Sequence, residues 1–126
     1  MSLSNYLETK VMDAIFNNAS PAAIQLANRY VQLHTADPTE TGTVAVATET
    51  TRKAVTGAAT SNGVFTSVND LTWTSVAGTE TYTHISVWDA STTGNCLWVG
   101  ALTAAKAVTA GDTFVISTGQ LTATLD

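Results

Sequence analysis

The sequence predicts a mainly β protein: an antiparallel β-sandwich or barrel-like single domain spanning residues 1–126, with one short helix at its N-terminus. Three observations predict it. From residue 51 onward, short runs rich in Val, Ile, Thr and aromatic residues alternate with turn residues, the spacing expected of a sandwich or barrel. Threonine, a strand former, makes up about a fifth of the chain. One stretch alone, near the N-terminus, repeats its apolar residues with helical spacing.

That stretch is residues 4–17. Ser4 is a good N-cap, because its hydroxyl can accept from a free amide of the first turn. Leu7, Val11, Ala14 and Ile15 fall on one helical face, widened by Tyr6, Met12 and Phe16, and Asn17-Asn18 is the stop. So short a helix needs a surface to dock on. Leu7, Val11 and Ile15 are therefore expected to be largely buried, with Leu7→Ala costing about 2–5 kcal/mol. Ser20-Pro21 opens a loop. Leu26 to Thr35 then alternates as a strand, with Val31 and Leu33 facing the core and Tyr30, Gln32 and His34 facing away. Asp37-Pro38 breaks that strand, since proline cannot donate to a ladder. Residues 39–50 are Thr-rich and read as an excursion with one weak strand around Val44 and Val46.

Seven further strands are expected: Thr51 to Thr56, Val64 to Val68, Leu71 to Val76, Tyr82 to Trp88, Cys96 to Leu102, Thr113 to Ile116 and Gln120 to Leu125. Turn residues separate them, among them Asn62-Gly63, Asn69-Asp70, Ala77-Gly78, Gly94-Asn95, Gly111-Asp112 and Gly119. The last strand shows the alternation best, with Leu121, Ala123 and Leu125 on one side.

Composition narrows the function classes. Charged residues are 12% of the chain, about half the usual share, and the net charge is -5. Of the five cations only Arg52 and Lys53 are adjacent, which argues against nucleic acid, because that partner requires a clustered basic surface. The single Cys96 has no internal disulfide partner and reads as a small buried apolar residue. No apolar run reaches the 18 or so residues of a membrane helix. The N-terminus lacks the basic and apolar regions of a signal peptide.

Candidate chemistry is sparse. His34 and His84 could be combined with Cys96 or Asp89 as a zinc set, but the spacing matches no metal motif. No Gly-x-Ser-x-Gly elbow, phosphate loop or dinucleotide fingerprint occurs. Trp73, Trp88 and Trp98 read first as packing residues, second as subunit contacts, and last as a ligand platform. No catalytic, cofactor-binding or metal-binding residue is assigned.

Three stretches carry a family resemblance: Leu7 to Phe16, Tyr30 to Pro38, and the chain from Thr83 onward. The last includes Trp88 to Asn95, Trp98 to Thr103, Ala110 to Thr113 and Leu121 to Asp126. Together they span about half of the chain, and they resemble a family of short tailed-phage virion proteins usually labelled tail-fibre-like. The middle departs from it. Ala47 to Val55 stands where that family tends to carry a Gly-Gly-Ser-Tyr-Ala-Arg-like stretch, and only Arg52 and Val55 fit. The resemblance implies a non-enzymatic virion protein, assembled in the host cytoplasm, with no catalytic residues to transfer.

The sequence shows no shaft repeat or heptads, so the expectation is a capsid decoration or cement protein. The alternative is a tail-fibre or tail-tip adhesin module that binds a receptor or glycan; a small hydrolase comes third. Expected partners are the major capsid protein or tail proteins, with no nucleic acid and no membrane. A homo-oligomer, first of all a trimer, is expected from the low charge and from strand edges with few lysines to guard them. Apolar and hydroxyl contacts would make that assembly insensitive to salt. No bound metal is expected: elemental analysis of the purified protein should find neither zinc nor calcium near one atom per chain.

Overall fold

The computed structural model describes residues 2–20, 24, 27–58 and 60–125. In chain order the elements are β1 (Ser2–Leu3), α1 (Asn5–Phe16), β2 (Arg29–His34), β3 (Lys53–Val55), β4 (Val64–Thr66), β5 (Leu71–Trp73), β6 (Glu80–Trp88), β7 (Cys96–Val108), β8 (Phe114–Ile116) and β9 (Thr122–Thr124). They form a five-stranded sheet in the order β1-β7-β6-β2-β3 and two ribbons, β4-β9 and β5-β8. Every pairing is antiparallel. The fold is mainly β, with one short helix, and its sheets do not close into a barrel.

The β6–β7 hairpin is the centre of the large sheet. Its tip is closed by Asp89, whose Oδ1 accepts from the Asn95 amide at 2.7 Å and whose Oδ2 accepts from Asn95 Nδ2 at 2.8 Å. Gly94 turns there at φ +77°, and a Cβ on it would lie 2.3 Å from Asp89 Oδ1. Glycine is therefore required by both backbone and space. β2 pairs with β6 so that Leu33 lies opposite Ile85. Those two residues, with Val31 and Tyr82, meet Leu71, Trp73, Phe114 and Ile116 of the β5–β8 ribbon in one apolar cluster. At its centre the Phe114 ring sits 5.6 Å from Trp73 and 5.2 Å from Tyr82. The Trp73 indole N–H donates to the Thr51 carbonyl at 2.7 Å, so its burial leaves no polar atom unpaired.

The helix begins as expected. Ser4 Oγ accepts from the Leu7 amide at 3.3 Å, and its own hydroxyl donates to the Cys96 carbonyl. Its burial differs from expectation. No α1 residue is buried, Leu7 and Val11 are half-buried, and Ile15 is 63% exposed. At its N-terminal end the helix is tied to β7, where the Ser4 amide donates to Leu97 O. Periodicity shows that a helical face is apolar; it does not show that the same chain covers it.

Other expectations shift as well. Leu26 lies outside the described residues, as does Pro21, and β2 starts at Arg29. Gln32 and His34 do face away from Val31 and Leu33, yet both are buried, because residues 39–50 fold back over them. The weak strand expected in that excursion is reduced to a single bridge between His34 and Val46. β7 runs six residues beyond Leu102, to Val108, because Glu80 to Tyr82 re-pair with it past a bulge at 102–105. β1 was not expected. Of the three residues expected on one side of the last strand, Leu121 is buried and Leu125 is 51% exposed. The edges are better guarded than composition implies: Lys53 lies on β3, and Lys106 follows the bulge on the part of β7 that β1 leaves uncovered. Bulges and lysines are two of the usual protections of such an edge.

Trp73→Ala should cost about 3–5 kcal/mol, whereas Ile15→Ala should stay within about 0.5 kcal/mol. Urea midpoints of the two variants against the parent chain measure both.

Candidate functional site

The large sheet has a second face, and its polar residues come together there. The register places Tyr30 opposite Trp88, Gln32 opposite Ser86, and His34 opposite His84, and opposed residues share a face. Residues 39–50 lie over part of this face. Gly42 passes so close that a Cβ on it would lie 2.6 Å from Cys96 Sγ and 2.9 Å from Trp88 Cζ2, and its φ is +67°.

Beneath that loop runs a chain of hydrogen bonds. The Trp88 indole N–H donates to Ser86 Oγ at 2.7 Å. Ser86 Oγ lies 2.6 Å from His34 Nε2, and His34 Nδ1 lies 3.0 Å from the Val44 carbonyl. A carbonyl only accepts, so Nδ1 carries the proton. Burial pushes the His34 pKa below its usual 6.5, so the ring is neutral at pH 7 and Nε2 accepts from the Ser86 hydroxyl. The Ser–His pair resembles a nucleophile with its base. Ser86 and His34 are both 0% exposed, so the pair is closed to a substrate in this structure, and the Ser86 oxygen also accepts from Trp88.

Arg52 fastens the hairpin tip to the same face. Its guanidinium carbon lies 3.8 Å from the centre of the Trp88 ring. Nε donates to Gln32 Oε1 at 3.1 Å, and one terminal nitrogen donates to Ala90 O and Thr93 O at 2.9 and 2.7 Å. This combines a cation–π contact with three hydrogen bonds. In the sequence Arg52 stood out as one of two adjacent cations and as a residue that fits the family's middle stretch, neither of which shows what it binds. The part played by Gln32 and Ser86 left no sequence signal beyond their place on alternating strands.

The other candidates separate. His84 Nδ1 pairs with Thr83 Oγ1 at 2.9 Å, and Asp89 is occupied at the hairpin tip. Burial pushes the Cys96 thiol up to about 11, so it stays protonated at neutral pH and behaves as a buried apolar residue. Among the described residues no three His, Cys, Asp or Glu side chains group as metal ligands. Trp73 belongs to the main core, and Trp88 forms a second small cluster with Cys96 and Val99. Trp98 is half-buried and lines an apolar cavity of about 200 Å³ with Leu7, Val55, Phe65 and Leu121. Its indole N–H is buried without a partner. An open groove of about 700 Å³ runs between the bulged part of β7 and β8.

The family model described as podophage GP4 fiber I protein gp80 matches residues 2–124. The chain belongs to this family. It is therefore a phage structural protein and a virion component. No curated protein matches it. The match spans the middle of the chain, where the sequence resemblance was interrupted, and it favours the fibre alternative over shell cement.

The neutral His34 of this fibre-family protein gives a pH prediction. Its folded pKa lies below the 6.5 of the free side chain, so the unfolded chain binds more protons below pH 6.5 and stability falls as the pH drops through that value. Urea midpoints at pH 7 and pH 5 should differ less for His34→Gln than for the parent chain. At pH 7 the variant should be less stable by about 1–3 kcal/mol, through the partners it leaves unpaired.

Proposed function

We propose that the protein is a non-enzymatic component of the phage tail fibre. The family match over residues 2–124 carries the reading. Two features of the geometry support the non-enzymatic part of this reading. The one Ser–His pair described above is sealed under residues 39–50, and the thiol of Cys96 is held protonated. What the molecule offers its surroundings is surface: an apolar helix face, hydroxyl-rich loops and few charges.

In this reading the protein acts by contact, either as part of the fibre's body or as the module that meets a receptor on the host. A receptor-binding role would fall to the cleft beside the hairpin tip. Tyr6, Glu40, Thr41, Thr43 and Asn95 set an aromatic ring, a carboxylate, two hydroxyls and an amide around about 310 Å³ there, the mixed lining of a small-ligand site. Trp88 contributes little to such a platform, because it is 5% exposed and its ring is covered by Arg52.

Gold-labelled antibody against this chain on intact virions, with copies per particle counted by quantitative mass spectrometry, tests the assignment. Label at the tail with a few to a few tens of copies is expected. Label spread over the shell, with hundreds of copies, would overturn it in favour of a decoration protein.

A further inference from the structure

Residues 39–46 are held at both ends and lightly packed in between. Pro38, just before them, is fully buried, and Ala47, just after them, is 2% exposed and belongs to the main core. Between these anchors Thr39, Glu40, Thr41, Thr43, Val44 and Val46 are exposed, and Gly42 is the residue that reaches the sheet. Segments with so few buried apolar contacts belong to the least stable part of a fold. The two junctions carry backbone that residues other than glycine rarely adopt: Thr39 at φ +54° and Ala45 at φ +51°. Attachment to the sheet is at the far end. There the Thr35 amide and hydroxyl donate to the Ala45 carbonyl at 3.0 and 3.4 Å, and His34 Nδ1 donates to Val44 O.

The closed arrangement fits a neutral His34 and does not fit a charged one. A second proton, on Nε2, would set two donors, His34 and Trp88, against Ser86 Oγ. It would also take from the buried Ser86 hydroxyl the acceptor it now uses, and it would bury a charge. Burial lowers the pKa of His34 most; the carbonyls of Val44 and Ala45 offset part of this, and His84, opposite it on β6, and the Arg52 guanidinium lower it further. The acids of the covering segment are engaged or turned outward. Asp37 accepts from the Thr39 amide, Glu49 from the amides of Thr51 and Ala77, and Glu40 is exposed. β7 contributes the protonated Cys96 thiol.

We propose that residues 39–46 form a flap that opens when His34 takes up a proton, with Thr39 and Ala45 as its hinges. Opening returns the imidazole to water, where its pKa is 6.5. Below that pH the open form binds more protons than the closed form, so acid favours opening. The open flap takes away Glu40, Thr41 and Thr43, one wall of the cleft beside the hairpin tip, and uncovers the edge of Trp88 and the Cys96 sulfur on which Gly42 lies. It does not make a catalyst of Ser86 and His34, because the proton that opens the flap occupies the nitrogen a base would need. The opening is a property of the isolated chain and does not rest on the fibre assignment.

Hydrogen exchange of the Thr35 amide in the full chain tests it, read by NMR at pH 7 and pH 5 and corrected for the pH dependence of exchange in a free peptide. Protection should fall at pH 5 by about five- to twenty-five-fold, the upper figure being the limit set by an open-state pKa of 6.5. Low urea should leave this exchange unchanged, because a local opening exposes little surface, whereas the amides of the β6–β7 pairing should respond to it. His34→Gln, with its fold checked by circular dichroism, should show equal Thr35 protection at the two pH values although His84 is still present. In the parent chain the ring nitrogen shifts of His34 should show it mostly neutral at pH 6.5, a reading that needs no variant. Equal Thr35 protection at pH 7 and pH 5 in the parent, exchange that follows urea in step with β6–β7, a pH effect that persists in folded His34→Gln, or a His34 ring half-protonated at or above pH 6.5 would each overturn the proposal.

Discussion

Both layers of the protein depend on the β6–β7 hairpin being in register. β7 carries β1 and the start of α1 on one side, and β6 carries β2 and β3 on the other. Each residue of the hairpin is committed to one face: Ile85 and Tyr82 to the main core, Ser86 and Trp88 to the opposite side. A slip of one residue would exchange those faces. It would bring Ser86 against Trp73 and Phe114 and lift Ile85 into a polar network. The Asp89–Asn95 closure, with Gly94 in the only backbone that fits beneath it, is therefore worth more than its hydrogen bonds. It selects the register that β1, β2 and β3 inherit.

The low charge of the sequence has a structural counterpart. Most acids near the sheets accept hydrogen bonds from loop amides rather than facing cations. Glu80 takes the amides of Thr48 and Glu49, Glu49 those of Thr51 and Ala77, Asp112 that of Thr109. Asp70 takes the amide and hydroxyl of Thr118, which hold its carboxyl below the usual range. Carboxylates used this way substitute for secondary structure in a chain with long irregular connections. They leave few charges for ion pairs, so the fold owes little to interactions that salt would screen.

The sequence was informative wherever one residue's environment follows from its neighbours in the chain. The strand pattern from residue 51, the Ser4 cap and the inward Val31 and Leu33 all have local causes: alternation, a free first-turn amide, a pleat. It was silent where the environment comes from a distant segment. Nothing near Gln32 or His34 shows that residues 39–50 return over them, and nothing in the apolar stripe of α1 shows that Ile15 and Phe16 stay exposed. Trp98 is the sharpest case. Its strand was correctly placed, and its lack of an acceptor became visible only once Leu7, Phe65 and Leu121 were seen gathered around it.

The sheet order has a consequence for how the chain reaches this state. Ser2 pairs with Val99, Tyr30 with Trp88, and Val64 with Thr124. The two ends of most pairings are thus made far apart in time as well as in sequence. A nascent chain leaving the ribosome holds β2, α1 and β4 for many residues before their partners exist, and closing loops of that size is slow. Throughout that interval Val31 and Leu33 lie open to other chains, and in a host producing many copies at once the growing protein is at its most vulnerable before its last strand emerges.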